Sequence, residues 1–208
     1  MDTKDAEGRR HLVTGAGLVL RPAHADDLDR WFELYQDADE VRVGTPSFVV
    51  LPTSAQQLQA RVPESRQHFD DLAPGRLVVA EEAAPHHLLG VVDWRQDVPA
   101  PFRTADVGYG VHPDARGRGI GTRALLLLTR WLLEDDGGPH QVRAQLDHSV
   151  ENPASCRVAE GAGYEREGVR RAFLPLRDAD APGGERRHDV CLHGRLSTEL
   201  GGTPVTFT

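Results

Sequence analysis

Apolar residues recur at spacings of three and four along parts of the chain and alternate with polar ones along others, which predicts a mixture of amphipathic helices and strands. Residues 18–21 alternate into a short strand, and Pro22 with the Asp26-Asp27 pair then opens a helix carrying Leu28, Trp31, Phe32 and Tyr35 on one face. Residues 41–52 hold few signals. Thr53 and Ser54, each followed three residues later by Gln, have the form of a capping box for a helix reaching about Phe69, with Pro63 starting or kinking its second half. Runs at 76–82, 88–95 and 105–112 have β character and are parted by Ala84-Pro85-His86-His87 and by the Pro-rich stretch 98–104, as in an antiparallel meander.

Ile120, Ala124, Leu127, Leu128 and Trp131 then define a strong amphipathic helix ended by Gly137-Gly138-Pro139. A strand is expected at 141–147, and Asn152-Pro153 starts a short helix that Gly161-Ala162-Gly163 ends. Strands at 167–176 and 188–196 follow, joined by a loop at 177–187. A strand, two helices, a meander and a strand-helix-strand unit make an α+β or mixed α/β layer, without βαβ repetition or an internal repeat. Residues 1–11 read as a flexible leader, 12–196 as one domain and 197–208 as a loose tail.

The 208 residues, 39% apolar and 27% charged, are enough to bury a continuous core without metal or disulfide support. A formal charge of -8 argues against a nucleic-acid binder, which needs clustered Lys and Arg; it suits a cationic substrate, or simply keeps the protein soluble. Cys156 and Cys191 fit neither a disulfide framework nor a metal motif, and nearby histidines lack zinc-site spacing, so no metal and a reduced cytoplasm are expected. The first twenty residues lack a signal-peptide apolar run, and 18 consecutive apolar residues occur nowhere, so neither secretion nor membrane spanning is expected.

Chemistry concentrates in Arg116-Gly117-Arg118-Gly119-Ile120-Gly121-Thr122, where the chain leaves a strand for the long helix. Glycines there let backbone amides approach an anion, and the helix N-terminus adds unpaired N–H groups and a partial positive charge, which suits a pyrophosphate. A P-loop needs a Lys that is missing, and a dinucleotide fingerprint needs GxGxxG in a parallel βαβ unit, whereas these glycines run GxGxG after antiparallel strands. The glycines alone also fit a merely tight connection.

The wider segment Val107-Gly108-Tyr109-Gly110-Val111-His112-Pro113, followed by this turn, resembles motif A of the GNAT superfamily of acyl-CoA-dependent N-acyltransferases. Asn152 to Tyr164 resembles motif B, and His188-Asp189-Val190 before the last strand resembles the RimJ/RimL-like branch of ribosomal-protein N-terminal acetyltransferases, so the likeness covers roughly residues 18–196. The resemblance implies a GNAT-like fold: a central, mostly antiparallel twisted sheet, splayed at a CoA slot and flanked by helices. It implies that Val111 backbone groups hold pantetheine, that Arg116, Gly117, Arg118, Gly119, Ile120, Gly121 and Thr122 hold pyrophosphate, and that Asn152 and Ser155 approach the far end of the arm. Gly108 and Gly110 suit close backbone approach within such a strand, or a simple twist.

The implied reaction is direct acetyl transfer from acetyl-CoA to a primary amine, such as a protein N-terminal α-amine, without a metal. Among Asp93, Asp106 and His112, Asp106 matches the position of a family Glu base and, being one methylene shorter, would act through a water. The family's Tyr acid, seven residues after the motif B Asn, is here Ala159; Ser155 instead takes the position from which the RimJ/RimL-like branch protonates the thiolate, or else caps its helix. Tyr109 and Tyr164 read as core or pocket-wall residues. The acceptor site is expected from residues 26–52, 98–104 and 177–187. A small-molecule amine acetyltransferase and a non-catalytic CoA sensor stay open, as does oligomeric state, a homodimer included.

Overall fold

The structure, a computed structural model, describes residues 10–134 and 137–200. Most of the leader assigned to 1–11 and of the tail assigned to 197–208 therefore lies outside the described residues. Helix α4 (Ile120–Leu133) has the 3.6-residue period expected of it and buries Ile120, Ala124, Leu127, Leu128 and Trp131 against the sheet.

That sheet runs β1 (Val13–Gly15), β2 (Leu18–Arg21), β3 (Gly75–Glu81), β4 (Gly90–Arg95), β5 (Thr104–Val111), β6 (Arg143–Ser149), β7 (Glu165–Arg177) and β8 (Glu185–Leu196), in spatial order β1-β2-β3-β4-β5-β6-β8-β7. All pairings are antiparallel except β5 with β6. Alternation along the strands feeds two cores: Leu77, Val79 and Val92 pack with α4, whereas Val78 and Val91 pack with Trp31 and Leu34 of α1 (Leu28–Gln36) on the opposite face. Helix α5 (Pro153–Gly161) joins the α4 side, and Phe69 of α3 (Arg61–Asp71) stacks on Trp131 with ring centroids 5.6 Å apart.

Three expectations need correction. The stretch 41–52 contains the end of a further helix, α2 (Ala38–Gly44), whose start is capped by Asp37 accepting from the amides of Asp39 and Glu40. The helix expected from Thr53 to Phe69 is divided into a 3-10 turn at Ala55–Leu58 and α3; Thr53 exchanges hydrogen bonds with Gln57, and Ser54 makes no side-chain cap. The loop expected at 177–187 is mostly strand, because β7 and β8 pair as far as Arg177 with Glu185 and leave only 178–184 as the turn. This long hairpin reaches the segment after α2: the Ser47 amide donates to Pro175 O at 2.9 Å, and Arg177 donates to Pro46 O at 3.1 Å.

Among the described residues no helix is long and apolar enough to cross a membrane.

Candidate active site

The parallel pairing of β5 with β6 covers only Thr104, Ala105 and Asp106 against Arg143, Ala144 and Gln145. Past that point β5 stays with β4 as far as Val111, while β6 stays with β8 as far as Ser149. The two strands thus part at Asp106 and expose a backbone edge of β5 from Val107 to Val111, roughly 17 Å at about 3.3 Å per residue. A backbone edge left unpaired inside a sheet seeks hydrogen bonds, so this slot suits a chain of amides lying along it.

At the mouth of the slot, Gly117 and Gly119 have φ of +73° and +71°, and a Cβ at either would meet nothing within 4 Å. Both therefore need glycine for conformation, with open space on the side a Cβ would occupy. Gly119 caps α4, and Arg123 N–H donates to its carbonyl at 3.1 Å, so the amides of Ile120, Gly121 and Thr122 end the helix without intrahelical partners. Gly121 sits on the packed side: a methyl there would lie 3.4 Å from Val111 and Val158. The Thr122 side chain packs towards Gly161 of α5. Arg116 pairs with Asp37 and donates from Nε to Val111 O at 3.2 Å; Arg118 pairs with Glu81 at 2.5 Å.

On the α4 side of the slot, Tyr109 and Ser155 meet hydroxyl to hydroxyl at 2.8 Å, linking β5 to α5. Asn152 is the α5 cap, accepting from Ser155 N–H at 3.1 Å, which leaves the serine hydroxyl for Tyr109 instead of for capping. Burial pushes the Tyr109 phenol up to about 12, although the bond to Ser155 pulls the other way, so the phenol keeps its proton at neutral pH. Sequence reading placed Tyr109 in the wall; its hydroxyl pair with Ser155 had no linear signal.

Alternation puts Asp106 on the other face of β5. Its carboxylate accepts from Gln145 Nε2 at 2.7 Å and from the Asp97 amide at 3.2 Å, both neutral donors. The two rival bases are otherwise committed. Asp93 bridges Arg76 at 2.8 Å and Arg95 at 3.0 Å, and its carboxylate lies where a Cβ on Gly108 would collide, which accounts for that glycine. His112 is buried between Glu33 and Asp114, at 2.7 and 2.8 Å, and so clamps α1 to the turn after β5. Asp147, two residues beyond Gln145 on β6, was missed in the sequence. Burial raises its carboxyl, Arg170 and Arg95 lower it, and Asp106 raises it again, so two carboxylates share this face of the slot.

The acetyltransferase (GNAT) domain model matches residues 17–165. The chain belongs to the GNAT acetyltransferases. As an acyl-CoA-dependent N-acetyltransferase it uses acetyl-CoA as donor and an amine as acceptor. Solved structures with the same fold include the ribosomal-protein-S5-alanine acetyltransferase of Vibrio fischeri, 16% identical, with a TM-score of 0.73 over 92% of this chain and 99% of that one. Mycobacterium smegmatis RimJ in complex with CoA-disulfide is 18% identical, with a TM-score of 0.72 over 94% and 90%. Spermidine N-acetyltransferase from Vibrio cholerae, in complex with CoA and spermine, is 19% identical, with a TM-score of 0.68 over 89% and 98%. No curated protein matches the chain at a significant level.

Proposed function

We propose that this acetyltransferase passes an acetyl group directly to the α-amine of a protein or peptide. The observation that carries the reading is the parting of β5 and β6 at Asp106, with open glycine amides at one end and acid and base candidates on opposite faces. Pyrophosphate rests on the turn from Arg116 to Thr122, where Arg116 and Arg118 add positive charge to the amides of Gly117, Gly119, Ile120 and Gly121. Pantetheine runs along the exposed edge of β5, bonded to Val111, and its far end reaches Asn152 and Ser155.

The amine enters from the Asp106 face. Once it has lost its first proton to solvent, the neutral nitrogen attacks the thioester carbonyl while its second proton passes through a water to Asp106; the C–S bond then breaks, the thiolate takes the Ser155 hydroxyl proton, Tyr109 replaces that proton, and solvent reprotonates the phenol as Asp106 releases its own. An α-amine with pKa about 8 needs roughly 1.4 kcal/mol to become neutral at pH 7, against roughly 4.6 kcal/mol for lysine. The smaller of these two costs favours the α-amine as acceptor. Asp106 and Asp147 supply the negative field that draws the cationic amine in.

The test is thiol release from acetyl-CoA across a panel of peptides and amines. Turnover is expected with free-N-terminal peptides and absent with the same peptides N-blocked but carrying lysine, and Asp106→Asn should lower kcat/KM about a hundredfold. Turnover confined to spermidine or another small amine would replace the acceptor, and CoA binding without turnover on any amine would make the chain a sensor.

The glycine turn makes its own prediction. Gly119→Ala should cost about 1–2 kcal/mol of stability through its left-handed backbone and weaken acetyl-CoA binding about tenfold or more, because the methyl enters the open space at the turn. Calorimetric titration with CoA checks the affinity and denaturant unfolding the stability.

A further inference from the structure

Beneath α5, on the far wall of the slot, the fold gathers His148 of β6, Cys156 of α5, and Cys191 and His193 of β8. Their ligand atoms all lie within 4.8 Å of one another, and the group is the one such cluster of His, Cys and carboxylates among the described residues. Strand pairing places three of the four, since His148 is the partner of Cys191 across β6 and β8 and His193 lies two residues further along the same face. Cys156 comes down from the first turns of α5.

We infer that these four side chains form a structural zinc(II) site. Two imidazoles and two thiols are the donor set of a closed tetrahedral zinc site, and two thiolates cancel the charge of the ion in a buried place. The spacing fits that geometry. Zn–N bonds of about 2.0–2.1 Å and Zn–S bonds of about 2.3 Å give tetrahedral edges of about 3.3 Å between nitrogens and about 3.6 Å between nitrogen and sulfur. In the structure His148 Nε2 and His193 Nε2 are 3.2 Å apart, and Cys156 Sγ is 3.6 Å from His193 Nε2.

The ring of His148 is already set for this. Its Nδ1 lies 2.8 Å from the Ser149 carbonyl, which requires Nδ1 to carry the proton and leaves Nε2 with its lone pair turned into the cluster, the outer contact that zinc-bound histidines make. The Nδ1 of His193 is buried without a partner, so its outer contact is missing and the thiolates must carry most of the affinity.

Acetyl transfer needs no metal, and the family indicates none, so the ion serves the fold. It would bind α5 to β6 and β8, which otherwise meet through packing. Because Cys156 follows Ser155, it would also fix the turn that carries the serine hydroxyl.

The test starts from the full chain, purified without chelators or a metal-affinity step and kept under reductant. Elemental analysis should find about one zinc per chain, and a strong chelator should lower the melting temperature. Cobalt(II) in place of zinc should show thiolate charge-transfer bands and the intense visible bands of a tetrahedral ion. Cys191→Ser removes a buried ligand and endangers folding, so Cys156→Ser, at a half-exposed position, is the decisive variant. It should weaken zinc about a hundredfold or more and reduce the charge-transfer intensity. A chain that binds no zinc tightly, gives only weak octahedral cobalt bands, or binds zinc equally well as Cys156→Ser overturns the inference. So does a Cys156–Cys191 disulfide in the chain when it is purified without reductant and in the presence of zinc.

Discussion

Replacing Ser155 by alanine is expected to lower kcat by about a thousandfold while moving the Kd of acetyl-CoA by no more than about threefold. The reason is positional. The serine hydroxyl is buried, it is not used to cap α5 because Asn152 does that, and it is paired at 2.8 Å with a phenol that stays protonated at neutral pH. A group so placed gains little in the ground state and acts when the thiolate departs, and proton transfer to a leaving group contributes typically 10²–10⁴ in rate. Tyr109→Phe removes only the refilling step, so about a tenfold fall is expected, and the double variant should be no slower than Ser155→Ala alone. Single-turnover acetylation of a free-N-terminal peptide with saturating acetyl-CoA measures these values. A Ser155→Ala enzyme at near-normal kcat would remove the serine from the chemistry, and an unchanged Tyr109→Phe would return the tyrosine to the pocket wall.

What the residues announced and what they hid follow from the range of the interactions concerned. The glycine turn, the α5 cap at Asn152-Pro153 and the period of α4 are local, and each is found where the pattern puts it. Motif likeness added the splay of β5 from β6, which no local pattern encodes because both strands are regular on either side of the fork. Helix α2 shows no pattern because it is short, rich in β-branched and charged residues and buries none of them, so its start is set by the Asp37 cap and not by propensity or an apolar face. The end of the β7–β8 hairpin shows no strand pattern because residues 185–187 are charged and exposed, and its pairing is set by the partner strand. The Cys-His cluster is the extreme case: its donors come from three elements, with His148 and His193 separated by 45 residues, so no linear spacing could display it. At the site itself, Asp106 and Ser155 could be named from the likeness, but Tyr109 and Asp147 emerge only when alternation is placed on real strands.

Asp27→Ala is expected to cost about 3–5 kcal/mol of stability, a large part of the roughly 5–15 kcal/mol that a domain of ordinary stability possesses. Asp27 and Arg21 form a two-pronged ion pair, both bonds 2.7 Å, with side chains only 1% and 3% exposed. The same carboxylate accepts from the His24 amide at 2.7 Å, and the guanidinium also donates to Pro22 O and to Pro85 O, so one pair joins the end of β2, the start of α1 and the turn between β3 and β4. Removing the carboxylate leaves a buried guanidinium without its counter-charge, and that uncompensated charge is the main cost, with the lost hydrogen bond from the His24 amide second. At about 2–4 °C per kcal/mol for a chain of this size, the melting temperature should fall by roughly 6–20 °C. Replacing both partners by apolar residues, as in Arg21→Met with Asp27→Leu, should recover most of the loss, since no charge is then stranded. If the single variant melts within a degree or two of the parent, the pair is solvated in solution and the buried geometry is wrong. A structural role also predicts where activity is lost. Helix α1 holds the turn before the glycines through Glu33 on His112 and Arg30 on Asp114, so Asp27→Ala should bind acetyl-CoA more weakly as temperature rises, well before kcat per folded molecule changes.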